Sequence, residues 1–142
     1  MAITQAICSS FKSELLSGQH NFATGGNTFN IALYTSSATL SSATTAYTSS
    51  GEVATGGGYT AGGQALTGQS VTLSGTTAYI DFNDATWSTA TITAAGALIY
   101  NVTSSNKAVC VLSFGGSYSS TSGNFTVVFP APTTTTAVLI LN

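Results

Sequence analysis

Very few side chains in this sequence could take part in acid–base, nucleophilic or metal chemistry. The chain has 142 residues, of which two are Lys or Arg, four are Asp or Glu and one is His. The charged residues are Lys12, Glu14, Glu52, Asp81, Asp84 and Lys107. Asp81 and Asp84 lie three positions apart at the end of a predicted strand, where they could hold a cation or act as a general acid and base. Asn and Asp also stabilise turns by bonding to their own backbone, and we favour that interpretation here.

Nucleophilic and metal catalysis also lack their usual sequence arrangements. Serine is abundant, but no Gly-x-Ser-x-Gly motif is present, and a catalytic triad would have to use His20, the only histidine. His20 follows Gly18 at a predicted helix end, where a capping role is the simpler expectation. Cys8 and Cys110 show neither zinc-ligand spacing nor a disulfide framework, and the apolar neighbours of Cys110 predict a buried, reduced thiol. The sequence therefore predicts no catalytic residue, no metal and no cofactor.

The low charge of the chain also bears on its partners. Only 4% of the residues are charged, against roughly 25% in an average globular protein. Two lysines cannot form the basic patch that nucleic acid or an anionic membrane surface requires. No segment has the 18 or more apolar residues of a membrane span, and the N-terminus lacks the features of a secretory signal. We expect no nucleic-acid or membrane partner, and synthesis in a reducing cytoplasm.

The N-terminal segment, residues 1–18, is predicted to be a helix or arm. Thr4 could cap the helix, Ile7, Phe11 and Leu15 recur at intervals of four, and Gly18 could end it. This apolar stripe could dock on a partner or cover the chain's own core, and the sequence leaves both possibilities open.

The remaining chain, residues 19–142, is predicted to be a single antiparallel β-sandwich of jelly-roll type, giving an all-β fold with a short N-terminal helix. Alternating apolar residues predict a first strand at 29–34, and residues 35–68 are predicted to form long Ser/Thr/Gly-rich loops. Trp87 is expected in or near the core. Further strands are expected at 70–73, 78–82, 90–93, 97–102, 108–114, 125–129 and 137–141, with turns that include 95–96, 104–106 and 119–123.

The candidate functional residues are apolar and aromatic side chains that could contact another protein. They are Ile7, Phe11 and Leu15 in the N-terminal stripe, with Tyr47 and Tyr59 in the long loops. A formal net charge of only −2 provides little electrostatic repulsion between copies, which favours association.

Four stretches of the sequence resemble a family of small virion structural proteins of tailed bacteriophages. They are FNIALYT at 29–35, GYTAGG at 58–63, WSTATITAAGALIYN at 87–101 and FTVVFP at 125–130, in the same order along the chain. The resemblance extends from about residue 10 to the C-terminus, and the stretch at 87–101 is its most specific part. Family members often have a basic residue where Ala95 stands, so a contact made by that residue would be missing here.

The resemblance implies a virion component located on the capsid surface. A small, neutral, β-rich domain suits a capsid cement or decoration protein, which would bind the lattice of the major capsid protein and copies of itself, as a homotrimer at threefold positions. The alternatives are a head-fibre or tail-associated β domain and, from a different class, a carbohydrate-binding module that stacks sugars on Tyr47, Tyr59, Trp87 or Tyr118.

Overall fold

Two antiparallel β-sheets and one short helix make up the structure, a computed structural model that describes residues 2–142. The elements in chain order are β1 (Ala6–Ile7), α1 (Ser9–Leu16), β2 (Phe29–Tyr34), β3 (Gln64–Ala65), β4 (Ser70–Ser74), β5 (Thr77–Asp81), β6 (Ala85–Asn101), β7 (Lys107–Val127) and β8 (Leu139–Leu141). The large sheet has the order β1-β7-β6-β2-β3, and the small sheet has the order β4-β5-β8. The predicted all-β, sandwich-like fold with a short N-terminal helix is confirmed.

The helix is shorter than the sequence predicted, because it begins at Ser9 and not after Thr4. The residues before it pair as extended chain: the Thr4 N–H donates to the Leu40 carbonyl at 2.9 Å, and Ile7 pairs with Cys110 in β7. Backbone groups already paired with a neighbouring strand cannot also start a helix. The prediction that Ile7 belongs to the helix is therefore wrong. The helix ends as predicted, with Gly18 at φ +76°.

The strand predicted at 29–34 is confirmed as β2, which lies between β6 and β3. The alternation of residue types along β2 does not correspond to one buried and one exposed face of the strand. Ile31, Ala32, Leu33 and Tyr34 are all completely buried, as is typical of a strand covered on both faces.

Two of the predicted turns are wrong, because the chain continues through them as strand. Predicted strands 90–93 and 97–102 belong to the single strand β6, and those at 108–114 and 125–129 belong largely to β7. The pairing of β6 with β7 contains register shifts, and Thr89, Gly115 and Ser122 have positive φ values. The turn-forming residues near 95–96 and 119–123 therefore accompany bulges in a continuous ribbon. The predicted turn at 104–106 is confirmed, since residues 102–106 connect β6 to β7.

The small sheet follows the sequence prediction closely. β4 and β5 form a hairpin and β8 adds to β5, at positions within two residues of the predicted ends. Residues 35–68 consist mainly of turns and isolated bridges, as predicted, with β3 as their only named strand. Within residues 2–142 there is no helix of the length and apolar character that a bilayer crossing needs.

Candidate functional site

One face of the small sheet is apolar and extends beyond the core that it covers. The register aligns Val71 with Ile80 and Leu139, so these side chains share a face, and the next row on that face is Leu73, Ala78 and Leu141. Ile80 and Leu139 are buried, each with 8% exposure. Val71, Leu73 and Leu141 remain 53%, 72% and 60% exposed. Part of this face therefore has no covering layer within the described chain.

Helix α1 lies opposite this face, and the two enclose a groove of about 940 Å³. We call it the N-terminal groove. Its volume is near the upper end of the range of about 300–1,000 Å³ found for ligand pockets. Its apolar lining residues are Ile7, Phe11, Leu15, Leu16, Phe22, Ala23, Val71, Ala78, Ile80, Leu139, Ile140 and Leu141. Lys12 is the only Lys, Arg, Asp or Glu residue in the lining.

The structure brings together Ile7, Phe11 and Leu15, the three candidate contact residues of the N-terminal segment, because all three line the N-terminal groove. Their positions differ: Ile7 is 37% exposed, Leu15 is half-buried and Phe11 is only 2% exposed. The Phe11 ring packs against His20 and Phe22 at centroid distances of 4.7 and 5.9 Å. The helix therefore covers the chain's own core through Phe11, while Ile7 and Leu16 face outward. Leu16, which the sequence analysis did not single out, is 91% exposed.

Tyr47 and Tyr59, the two candidate contact residues in the loops, meet at the carboxylate of Glu52. The Tyr47 hydroxyl donates to Glu52 Oε2 at 2.6 Å, the Tyr59 hydroxyl donates to Oε1 at 2.7 Å, and the Gly62 N–H donates to Oε1 at 2.6 Å. Burial, and then the Glu52 carboxylate, raise the pKa of the Tyr47 hydroxyl above its ordinary value. Tyr59 is only 2% exposed, so it is a core residue of the folded chain, whereas Tyr47 is half-buried.

Glu52 is a structural residue that the sequence analysis did not identify. A carboxylate is costly to bury unless hydrogen bonds compensate it. A lone acid in an otherwise uncharged loop, with tyrosines nearby in the sequence, was the only available signal. The resulting hydrogen bonds tie residues 47, 59 and 62 to Glu52 within the 35–68 region.

The sequence predicted that His20 caps the helix end, but its ring makes side-chain contacts inside the molecule instead. It is buried at 6% exposure, with Nε2 3.0 Å from Glu14 Oε1 and Nδ1 3.0 Å from Asn101 Nδ2. This geometry fits a tautomer in which Nδ1 accepts from the Asn101 amide and Nε2–H donates to Glu14. Glu14 Oε2 is also 3.4 Å from Lys107 Nζ. These contacts join α1 to the ends of β6 and β7.

The remaining candidate chemical groups do not form a shared site. Asp84 Oδ1 accepts a hydrogen bond from the Phe129 N–H at 2.9 Å, so its contact is structural, but it reaches a distant segment and not its own turn, where the sequence predicted it. Residues 2–142 contain no group of three or more His, Cys, Asp or Glu side chains placed to hold a metal ion.

Both cysteines are free and buried, which confirms the prediction for Cys110. Burial and then the nearby Glu14 raise the pKa of Cys8 to about 11, and burial and then Cys8 raise the pKa of Cys110 to about 12. Their thiols are therefore protonated at neutral pH, and a protonated thiol is a poor nucleophile.

The aromatic residues considered as sugar platforms are mostly inside the molecule. Trp87 is 5% exposed, as predicted for a core residue, and its ring centroid is 6.0 Å from that of Tyr59. Tyr47 donates its hydroxyl to Glu52, and only Tyr118, at 57% exposure, presents most of its side chain to solvent.

Comparison of the chain with protein-family models, with curated proteins and with solved structures finds no match. Function is therefore inferred from the N-terminal groove, from the distribution of charge and from the sequence resemblance.

Proposed function

We propose that this chain is a non-enzymatic virion structural protein, a cement or decoration protein that binds the outer surface of a tailed-phage head and stabilises it. The observation that carries the proposal is the N-terminal groove, which leaves the apolar side chains of Leu16, Val71 and Leu141 in water. Contiguous exposed apolar surface of this kind is typical of a protein–protein contact site. The resemblance of four stretches to phage virion proteins supplies the virion setting.

The placement of the charged residues supports the same role. Glu14, Glu52, Asp84 and Lys107 are engaged in contacts within the chain. Much of the outer surface is accordingly made of neutral Ser and Thr side chains, which cost far less to desolvate than ions when a second protein covers them. Because few charges would take part in binding to the head, salt should weaken that binding only slightly.

The proposal assigns the N-terminal groove to an apolar segment of the major capsid protein. The groove contains one charged lining residue, Lys12, which lies on the exposed side of helix α1. The other lining residues are mainly apolar. An apolar segment would bury these side chains without leaving a charge unpaired. The homotrimeric state and the location on the capsid surface belong to this proposal and rest on the resemblance.

The proposal is tested by adding purified protein to heads of the encoding phage that were assembled without it. Leu16→Asp should reduce binding at least tenfold, because it places a charge at the mouth of the N-terminal groove. Val128→Asp is the matched control, since Val128 is 71% exposed and does not line the groove. Both variants should keep the unfolding free energy of the parent chain.

Failure of the parent chain to bind heads, or equal binding by the two variants, would refute the assignment of the groove. Copy number separates the alternative virion role: quantitative mass spectrometry of purified virions should find an amount approaching that of the major capsid protein. A few copies per particle would instead indicate a head-fibre or tail-associated domain.

A further inference from the structure

The outer edge of β7 has no neighbouring strand along most of its length. β1 pairs with β7 only at Val111 and Cys110, and the Ser113 N–H donates to the Gln5 side-chain oxygen at 3.3 Å. From residue 114 to residue 127, β7 pairs only with β6 on its inner side, among the residues that the structure describes. An edge of this length presents backbone N–H and C=O groups that can pair with another strand.

Tyr118 is an exposed aromatic residue at this edge. It lies on the face of the large sheet that is buried at the neighbouring strand β6. Within β6, Ile92 and Ala94 are buried at 1% and 0% exposure, and their register partners in β7 are Ser120 and Tyr118. Directly paired residues project from the same face of a sheet. Tyr118 nevertheless remains 57% exposed, since the sheet ends at β7 there. A further strand beyond β7 would cover its ring.

The edge also lacks the side chains that usually prevent such pairing. Natural edge strands are commonly protected by lysines, prolines or inward-facing charges. After Lys107 the chain contains no charged residue, and β7 contains no proline. The register shifts between β6 and β7 do limit regular pairing, because within residues 114–127 they leave only 118–120 and 125–127 as uninterrupted runs.

We propose that the outer edge of β7 pairs in antiparallel fashion with the same edge of a second copy of this chain. The two edges are complementary under a twofold axis, since each offers alternating donors and acceptors to the other. Neither strand brings a charge that would repel its copy, and Tyr118 of each copy would lie against the strand of the other. A twofold contact would join copies belonging to neighbouring trimers if the chain also forms the homotrimer proposed above.

The contact is small, so the association is weak in solution. A few residue pairs bury less than the roughly 1,000 Å² that a stable interface needs, which predicts a dissociation constant on the order of 100 µM. Such a contact becomes significant where copies are held close together, because the local concentration is then high.

Sedimentation equilibrium of the purified chain from about 10 µM to 1 mM tests the proposal. The parent chain should change reversibly from monomer to dimer over this range. A Tyr118→Lys, Thr121→Lys double variant should remain monomeric, because it places two charges on the exposed edge. The matched control is Thr76→Lys, Thr135→Lys, which adds the same charge at exposed positions elsewhere and should dimerise like the parent.

Amide hydrogen exchange provides a second measurement, since residues 118–120 should exchange several-fold more slowly at 1 mM than at 10 µM. A parent chain that stays monomeric at 1 mM, or an edge variant that dimerises like the control, would overturn the proposal. The test uses no phage particle, so its failure would leave the cement role standing, and failure of the particle-binding test would leave the edge contact standing.

Discussion

Glu52 shows how a single ionised side chain can organise a neutral part of the molecule. Its carboxylate accepts hydrogen bonds from the hydroxyls of Tyr47 and Tyr59 and from the Gly62 N–H, and it makes no ion pair with any residue in 2–142. Hydrogen bonds to charged groups are worth about 1.5–3 kcal/mol each. The acid therefore acts as a fixed acceptor that holds the loops between β2 and β3 together.

Two buried tyrosines, Tyr34 and Tyr59, make stability dependent on alkaline pH. Burial raises the pKa of Tyr34 and of Tyr59 above the ordinary value of 10.0, so the folded chain keeps protons that the unfolded chain loses. Above pH 10 the unfolded state therefore binds fewer protons, and stability falls as pH rises. At pH 11 each of these two hydroxyls should cost about 1.4 kcal/mol, or about 3 kcal/mol together, with the buried thiols adding to the loss.

Urea denaturation followed by Trp87 fluorescence, under reducing conditions from pH 8 to pH 11, measures this effect. The unfolding free energy should begin to fall near pH 9, where the thiols of the unfolded chain ionise, and should fall further above about pH 10, where its tyrosines ionise. A constant value up to pH 11 would show that neither the tyrosine hydroxyls nor the thiols keep their protons in the folded chain.

At the scale of the elements, helix α1 has two different roles on its two sides. Phe11 reaches the core and packs on His20 and Phe22, whereas Leu16 extends into solvent at the mouth of the N-terminal groove. The sequence left open whether the stripe covers its own core or binds a partner. The structure assigns the first role to Phe11.

Phe11→Ala should therefore lower the unfolding free energy by about 3 kcal/mol or more, because it removes a buried ring and leaves a cavity. Leu16→Ala should change it by less than about 0.5 kcal/mol, since Leu16 is exposed. Urea denaturation of the two variants beside the parent chain makes the comparison. Equal changes in the unfolding free energy for the two variants would contradict the assignment of Phe11 to the core and of Leu16 to the surface.

Sequence reasoning predicted those elements whose pattern is local. The alternation at Phe29–Tyr34 and the short strands of the small sheet depend on nearby residues and were predicted to within two positions. The extended pairing of Thr4 with Leu40 and of Ile7 with Cys110 depends on residues distant in the chain, so the helix start was predicted too early. In the ribbon of β6 and β7, residue types that are typical of turns accompany β-bulges within continuous strands. The sequence alone could not distinguish a bulge from a turn at these positions.

The candidate site was predicted only in part, for a similar reason. Four-residue spacing identified Ile7, Phe11 and Leu15, and all three line the N-terminal groove, although Ile7 reaches it from β1. The opposite wall comes from Val71, Leu139 and Leu141, which are more than 50 residues away in the sequence. Tyr47 and Tyr59 were identified as contact residues from their loop positions, but their hydroxyls donate hydrogen bonds to Glu52 of the same chain.

At the scale of the whole molecule, the low charge and the exposed apolar surface both favour contact with other proteins. Several of the few charged groups are used internally, and the N-terminal groove and the β7 edge remain uncovered in the single chain. Neutral surface costs little to desolvate, so a chain of this kind is well suited to contact other proteins over much of its exterior.

Cryo-electron microscopy of intact virions of the encoding phage, after a wash in about 0.5 M salt to screen weak ionic contacts, is the most direct test of the proposed cement role. We predict density that fits this β-sandwich on the outer surface of the head, repeated with the capsid lattice and with the N-terminal groove occupied by the major capsid protein. Heads without such density, or density for this chain confined to the tail, would contradict the proposal.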